Sequence, residues 1–149
     1  MLARFLLVSS LLASAAAAQC TLTVTGTGAP GTTLTFAVDG STAGGFAFLV
    51  IGETQGTTTI NFGPLGSLTL GLAPPFGALP MGPTNAQGDA SVALPVPAGF
   101  VGGLDLFAQG VTLGITLPGG PGGPGGPGGP GLPTISFCAT NVAGFHVGS

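Results

Sequence analysis

The residues of this chain that could do acid–base or nucleophilic chemistry are few. The only histidine is His146, near the C-terminus, and the acidic residues are Asp39, Glu53, Asp89 and Asp105. General acid–base catalysis needs several positioned groups. A Ser-His-Asp mechanism would have to use His146 without a GxSxG nucleophile motif, and paired-carboxylate chemistry would need two isolated acids to meet. We therefore predict no catalytic residues and a chain that is not an enzyme, with a hydrolase using an Asp or His146 as the weaker alternative.

The same short inventory disfavours a metal site. The sequence has no CxxC or HxxH spacing, and one histidine with two cysteines supplies too few ligands for zinc. Asn85 and Asp89 could in principle bind calcium, but one charge among neutral neighbours makes a weak site. Asn and Asp also bond the nearby backbone in tight turns, which is the interpretation we favour for 85–89. We expect no metal and no cofactor-binding residue.

Positive charge is confined to the start of the chain. Arg4 is the only Lys or Arg in the sequence, and the formal net charge is -3. A domain without cations cannot neutralise phosphates, so nucleic acids and anionic membranes are excluded as expected partners. The partners that remain are an envelope protein, an uncharged glycan or a second copy of the chain.

Residues 1–18 resemble a secretory signal peptide. They combine the early cation with an apolar run over 5–13 and the small-residue ending Ala15-Ala16-Ala17-Ala18. The run is too short and too interrupted by serine for a membrane span. A lipoprotein signal is an alternative because Cys20 follows closely, but Gln19 occupies the position where lipidation signals have a small residue. We predict cleavage after Ala18 and a secreted, cell-surface or periplasmic location.

Export favours a disulfide between Cys20 and Cys138, the only two cysteines. Such a bridge would close nearly the whole exported chain. In the chain-entropy model it would stabilise the fold by about 4–5 kcal/mol, less any native strain.

Period-two alternation of apolar and small polar residues predicts an all-β fold for residues 19–149, which have the length of one domain. Apolar rows recur at Leu22 and Val24, at Leu34, Phe36 and Val38, and in six further segments: 58–62, 68–72, 92–96, 104–108, 111–117 and, as a final hairpin, 135–137 with 145–147. Residues 46–51 are apolar on both faces and indicate a central strand. We expect an antiparallel β-sandwich, Ig-like or related, of about eight or nine short strands.

One low-complexity insert interrupts this pattern. Residues 118–131 read PGGPGGPGGPGGPG, with a strict period of three. The sequence cannot form a core, and we interpret it as a solvated loop within the domain. The period is also that of collagen, an alternative that would require three chains in register.

Glycan binding is the second functional class that the composition allows. Sugar-binding sandwiches usually offer Trp or Tyr platforms, and the chain has neither.

We predict Phe36, Phe46, Phe48, Phe62 and Phe137 to be core residues. The threonine row Thr21, Thr23, Thr25 and Thr27 could face a flat ligand, ice or a neighbouring subunit, although the polar side of an edge strand is the simpler interpretation.

Several segments resemble a recurrent module of secreted proteins of planctomycete-type bacteria. They are GSLTLGL at 66–72, GPTNAQGDASVALPVP at 82–97, LFAQGVTL at 106–113 and FCATN at 137–141. The resemblance covers most of the exported chain, although the Gly-Gly-Pro insert departs from it. It implies a secreted, non-catalytic Ig-like or related sandwich and carries over no binding residues. The function we expect is a structural or interaction role at the cell surface or in the extracellular matrix, with an uncharged-glycan module as the alternative.

Overall fold

The structure is a computed structural model that describes residues 20–116 and 133–148. The predicted signal peptide, residues 1–18, and the Gly-Gly-Pro insert, residues 118–131, lie outside the described residues. In the described part, seven strands carry nearly all of the regular structure. They are β1 (Thr21–Thr25), β2 (Thr33–Asp39), β3 (Phe46–Asn61), β4 (Ser67–Pro83), β5 (Ala90–Pro95), β6 (Leu104–Thr116) and β7 (Thr134–Val147), with a short 3-10 turn at Gly63–Leu65.

The strands form two antiparallel sheets that pack together as a β-sandwich. The three-stranded sheet has the order β1-β2-β5, and the four-stranded sheet has the order β4-β3-β6-β7. The prediction of an all-β, antiparallel β-sandwich is therefore confirmed. As expected for residues 46–51, β3 is central, with β4 on one side and β6 on the other.

The predicted count of eight or nine short strands is wrong for the described residues, because several predicted strands are parts of longer ones. Residues 58–61 continue β3, the two segments at 104–108 and 111–116 form β6, and the predicted final hairpin is the single strand β7. Residues 74–83, which include four prolines, also belong to β4. Register shifts let these strands continue past Gly and Pro residues that suggested breaks.

The first core lies between the two sheets. Leu22, Leu34 and Phe36 of the smaller sheet meet Leu49 and Ala108 of the larger sheet, and all are at least nine-tenths buried. The alternating positions of β1 and β2 point inward here, as the sequence pattern predicted.

A second core lies on the opposite face of the larger sheet. Beyond Gly52, β3 parts from β6 but stays paired with β4, so residues 54–61 and 67–73 form a two-stranded extension, here called the β3–β4 arm. Register shifts at Gly52/Thr54 and Gln55/Thr58 mark where the arm bends. Its Leu68, Leu70 and Leu72 pack with a second set of apolar residues, comprising Val50, Val111, Phe137, Ala139 and Val142.

The arm reaches as far as β7. Phe62, at the turn between its two strands, stacks on Phe137 with ring centroids 4.8 Å apart. The arm thus covers a sheet face that a simple sandwich would leave to solvent.

Two of the sheet edges are blocked against pairing with another strand. The outer part of β4 carries Pro74, Pro75, Pro80 and Pro83, which cannot donate ladder hydrogen bonds. On β1, the backbone of Leu22 is occupied by the side chain of Asn141 on β7: Leu22 N–H donates to Oδ1 at 2.9 Å, and Nδ2 donates to the Leu22 carbonyl at 3.3 Å.

Candidate functional site

The two cysteines are paired in the structure. Cys20, directly before β1, and Cys138, in β7, form a disulfide with a Cα–Cα distance of 6.3 Å and a sequence separation of 118. Cys20 belongs to the first core and Cys138 packs against it. The bridge joins one sheet to the other, close to where Asn141 bonds the backbone of β1.

The acidic residues that the sequence left isolated are distributed over three places. Asp39 and Asp89 line one cleft. Glu53 is exposed on β3, beside Phe76 and Leu106 at a shallow depression. Asp105 pairs with His146 across β6 and β7.

The His146–Asp105 pair is a surface contact. Nδ1 of His146 lies 2.7 Å from Oδ1 of Asp105, and the two side chains are 51% and 85% exposed. His146 is therefore an outward-pointing strand residue. Exposed pairs of this kind are screened by water and contribute little stability.

The cleft that brings Asp39 and Asp89 together has a volume of about 550 Å³ and is open to solvent. It lies between the end of β2, the start of β5 and the end of β4. Ser91, Asn85 and Thr84 add polar groups, and Ala37, Met81 and Pro83 add apolar ones. No aromatic ring lines this cleft, so a sugar placed there would be held by hydrogen bonds without stacking.

Hydrogen bonds within the turn at 85–89 fix one wall of the cleft. Oδ1 of Asn85 accepts the backbone N–H groups of Gln87 and Asp89 at 2.9 and 2.8 Å. The Asp89 carboxylate accepts the Gly40 N–H at 3.3 Å through Oδ1, and the Asn85 amide at 3.3 Å through Oδ2. Gly88 has φ +87° and approaches the backbone of Ser41 so closely that a Cβ would collide with it. The turn interpretation of these residues agrees with the structure.

Threonine is exposed on the outer side of the smaller sheet. Thr21, Thr23 and Thr25 point outward along the edge strand β1, whereas Thr27 lies beyond the strand, where its hydroxyl bonds the loop at Ala29. The row is thus shorter than the sequence suggested. The prediction of a core position is wrong for Phe46 and Phe62, because each residue is 38% exposed.

Gln109 is a structural residue that the sequence reasoning missed. Its side chain is 4% exposed and bridges the arm to the sheet, because Oε1 accepts the Gly71 N–H at 2.8 Å while Nε2 donates to the Thr140 carbonyl at 2.7 Å. The sequence does carry a signal for this role, because Gln109 is a long polar side chain inside the mostly apolar run LFAQGVTL.

Comparison of the chain with protein-family models, with curated proteins and with solved structures finds no match. Among residues 20–116 and 133–148, no group of three or more His, Cys, Asp or Glu side chains could hold a metal ion. In the same residues, no helix is long and apolar enough to cross a membrane.

Proposed function

We propose that the chain is a secreted, non-catalytic module with a structural or interaction role at the cell surface or in the extracellular matrix. The observation that carries this proposal is the disulfide between Cys20 and Cys138, which links the two sheets. Disulfides persist in oxidising compartments, so the bridge supports export. The signal-like sequence of residues 1–18 supports it independently.

The arrangement of the ionisable groups supports a non-catalytic role. Asp39 ends β2 and Asp89 ends the hydrogen-bonded turn at 85–89, and both oxygens of Asp89 already accept hydrogen bonds within the protein. His146 and Asp105 do not line that cleft and stand on an exposed strand pair. General acid–base catalysis relies on groups positioned around a shared, water-excluding site.

The order of the strands supports an Ig-like assignment. Constant-type immunoglobulin sandwiches place their strands A, B, E and D in one sheet and C, F and G in the other. Here β1, β2 and β5 occupy the positions of A, B and E, and β3, β6 and β7 those of C, F and G. The remaining strand, β4, pairs with β3 in the second sheet instead of adding a D strand to the first. The disulfide differs from the antibody pattern, which joins strands B and F. Membership of the planctomycete-type secreted module family is part of the same proposal.

Native fractionation tests the structural role. We expect the protein in envelope or matrix material, recovered with a partner protein or with further copies of itself. A soluble monomer in the culture fluid without an associated partner would contradict a structural role.

The alternative function is binding of an uncharged glycan in the Asp39–Asp89 cleft. The observation that favours it is the cluster of oxygen acceptors and hydroxyls beside the apolar surface of Met81. A pull-down on insoluble uncharged polysaccharide tests it. If the cleft binds sugar, Asp39→Ala should reduce retention, whereas Glu53→Gln, outside the cleft, should leave it unchanged. Equal retention of both variants, or none by the unmodified chain, would remove this alternative.

A further inference from the structure

A small cavity opens between the two sheets, away from the Asp39–Asp89 cleft. Its volume is about 160 Å³, one side is open to solvent, and all of its lining residues are apolar. Leu34 and Phe36 of β2 form its buried floor, and Ile51 of β3 and Leu94 of β5 stand on opposite sheets. The first core is therefore incompletely filled at this end of the sandwich.

The walls of the cavity are held by the sandwich itself. The ring of Phe145 meets Phe36 edge-to-face, with centroids 5.2 Å apart and an interplanar angle of 77°. Both residues lie in strands of opposite sheets, which the disulfide also joins. A site built on strands is preformed, so a ligand would not have to order its walls.

The mouth is formed by the connection from β5 to β6. Pro95, at the end of β5, and Pro97, in the connection, are exposed, and Phe100 is half-buried in the lining. The backbone N–H of Phe100 donates to the Pro97 carbonyl at 3.0 Å, so a turn fixes the backbone that carries this ring. The next residue, Val101, is 94% exposed and points away from this lining.

The lining determines which ligand chemistry fits. With no polar side chain to pair with it, a charged or strongly hydrogen-bonding ligand would lose its hydration without compensation. An engineered, enclosed protein cavity of about 150 Å³ lined by Leu, Ile and Phe binds benzene, so a space of this size and lining is large enough for that ring. We propose that this cavity is a binding site for a small uncharged hydrocarbon of about the size of benzene. This site is separate from the surfaces in the proposed function.

Titration of the oxidised full chain with benzene, followed by NMR, tests the proposal. We expect saturable shifts confined to the side chains of Leu34, Phe36, Ile51, Leu94 and Phe145, and a Tm that rises with benzene concentration. Benzoate, which has the same ring with a carboxylate, should produce neither effect. Absence of saturable shifts, or shifts centred on the second core, would overturn the proposal.

Three variants locate the site. Leu94→Phe adds volume inside the cavity and should abolish benzene binding, whereas Val101→Ala, on the same connection but outside the lining, should bind as the unmodified chain does. Retained binding in Leu94→Phe would refute the assignment. Phe100→Ala tests it without filling the core: loss of this lining ring should weaken benzene binding relative to Val101→Ala. Unchanged benzene affinity in Phe100→Ala would also count against this cavity.

Discussion

The two apolar cores of this protein are built in different ways. The first core joins two separate sheets and is fastened by a disulfide, two hydrogen bonds between the Asn141 side chain and the Leu22 backbone, and the alternating rows of β1 and β2. The second core forms where one hairpin bends back over its own sheet, and the buried Gln109 side chain joins the two parts by hydrogen bonds to Gly71 and Thr140. The comparison indicates that the first core defines the sandwich, while the second depends on a local docking that can open by itself.

Loss of the disulfide should have the largest effect on stability. Replacing Cys20 and Cys138 by serine should lower the free energy of unfolding by about 4–5 kcal/mol in the chain-entropy model. Urea denaturation with circular dichroism measures this difference, and reduction of the unmodified protein is the matched control. An unchanged midpoint in both experiments would show that the bridge does not fasten the first core.

Truncation of Phe36 should be nearly as costly. This side chain is fully buried in the first core, and Phe→Ala substitutions in cores cost about 3–5 kcal/mol. Phe46→Ala is the matched control, because Phe46 is 38% exposed and should cost much less. Similar losses for the two variants would contradict the position of the first core.

Leu70→Ala tests whether the second core opens independently of the first. Leu70 is 1% exposed in the second core, and the general range for Leu→Ala is about 2–5 kcal/mol. If the arm opens locally, part of this cost appears as faster amide exchange in residues 54–61 and 67–73, with the strands of the first core still protected. Uniformly faster exchange in both cores would show that they unfold as one unit.

Gly71→Ala should have the smallest of these effects and tests the docking of the arm directly. A Cβ at this position would lie 2.5 Å from Cγ2 of Val142, so overpacking should cost about 1–3 kcal/mol. Gly77→Ala in the same strand meets nothing within 4 Å and is the matched control. In a double-mutant cycle, Val142→Ala should relieve the clash; additive losses would place the arm elsewhere.

The first core could be predicted from sequence and the second could not. The rows Leu34-Phe36-Val38 and Leu22-Val24 alternate with polar residues, and alternation determines which face is buried once the fold is a sandwich. Leu68, Leu70 and Leu72 alternate in the same way, but the pattern does not say which surface they cover. That choice depends on bends near Gly52 and Gln55, where β3 leaves β6, and on the contact of the arm with a distant strand.

The candidate cleft likewise has one part that the sequence predicts and one part that it does not. The turn at 85–89 was readable because Asn85 and Gly88 have local conformational roles. The approach of Asp39 to Asp89 depends on the pairing of β2 with β5, in which Val38 faces Ala90. A pairing between residues so far apart in the chain leaves no local signal in one sequence.

The intact mass of the exported protein tests the proposed secretion and disulfide closure most directly. Cys20 cannot carry a lipid and form the bridge to Cys138 at once, so one spectrum distinguishes the two alternatives. We expect a chain that begins at Gln19 and lacks two hydrogens relative to its reduced form. A diacylglycerol on Cys20, two free thiols, or an uncleaved leader would contradict the account.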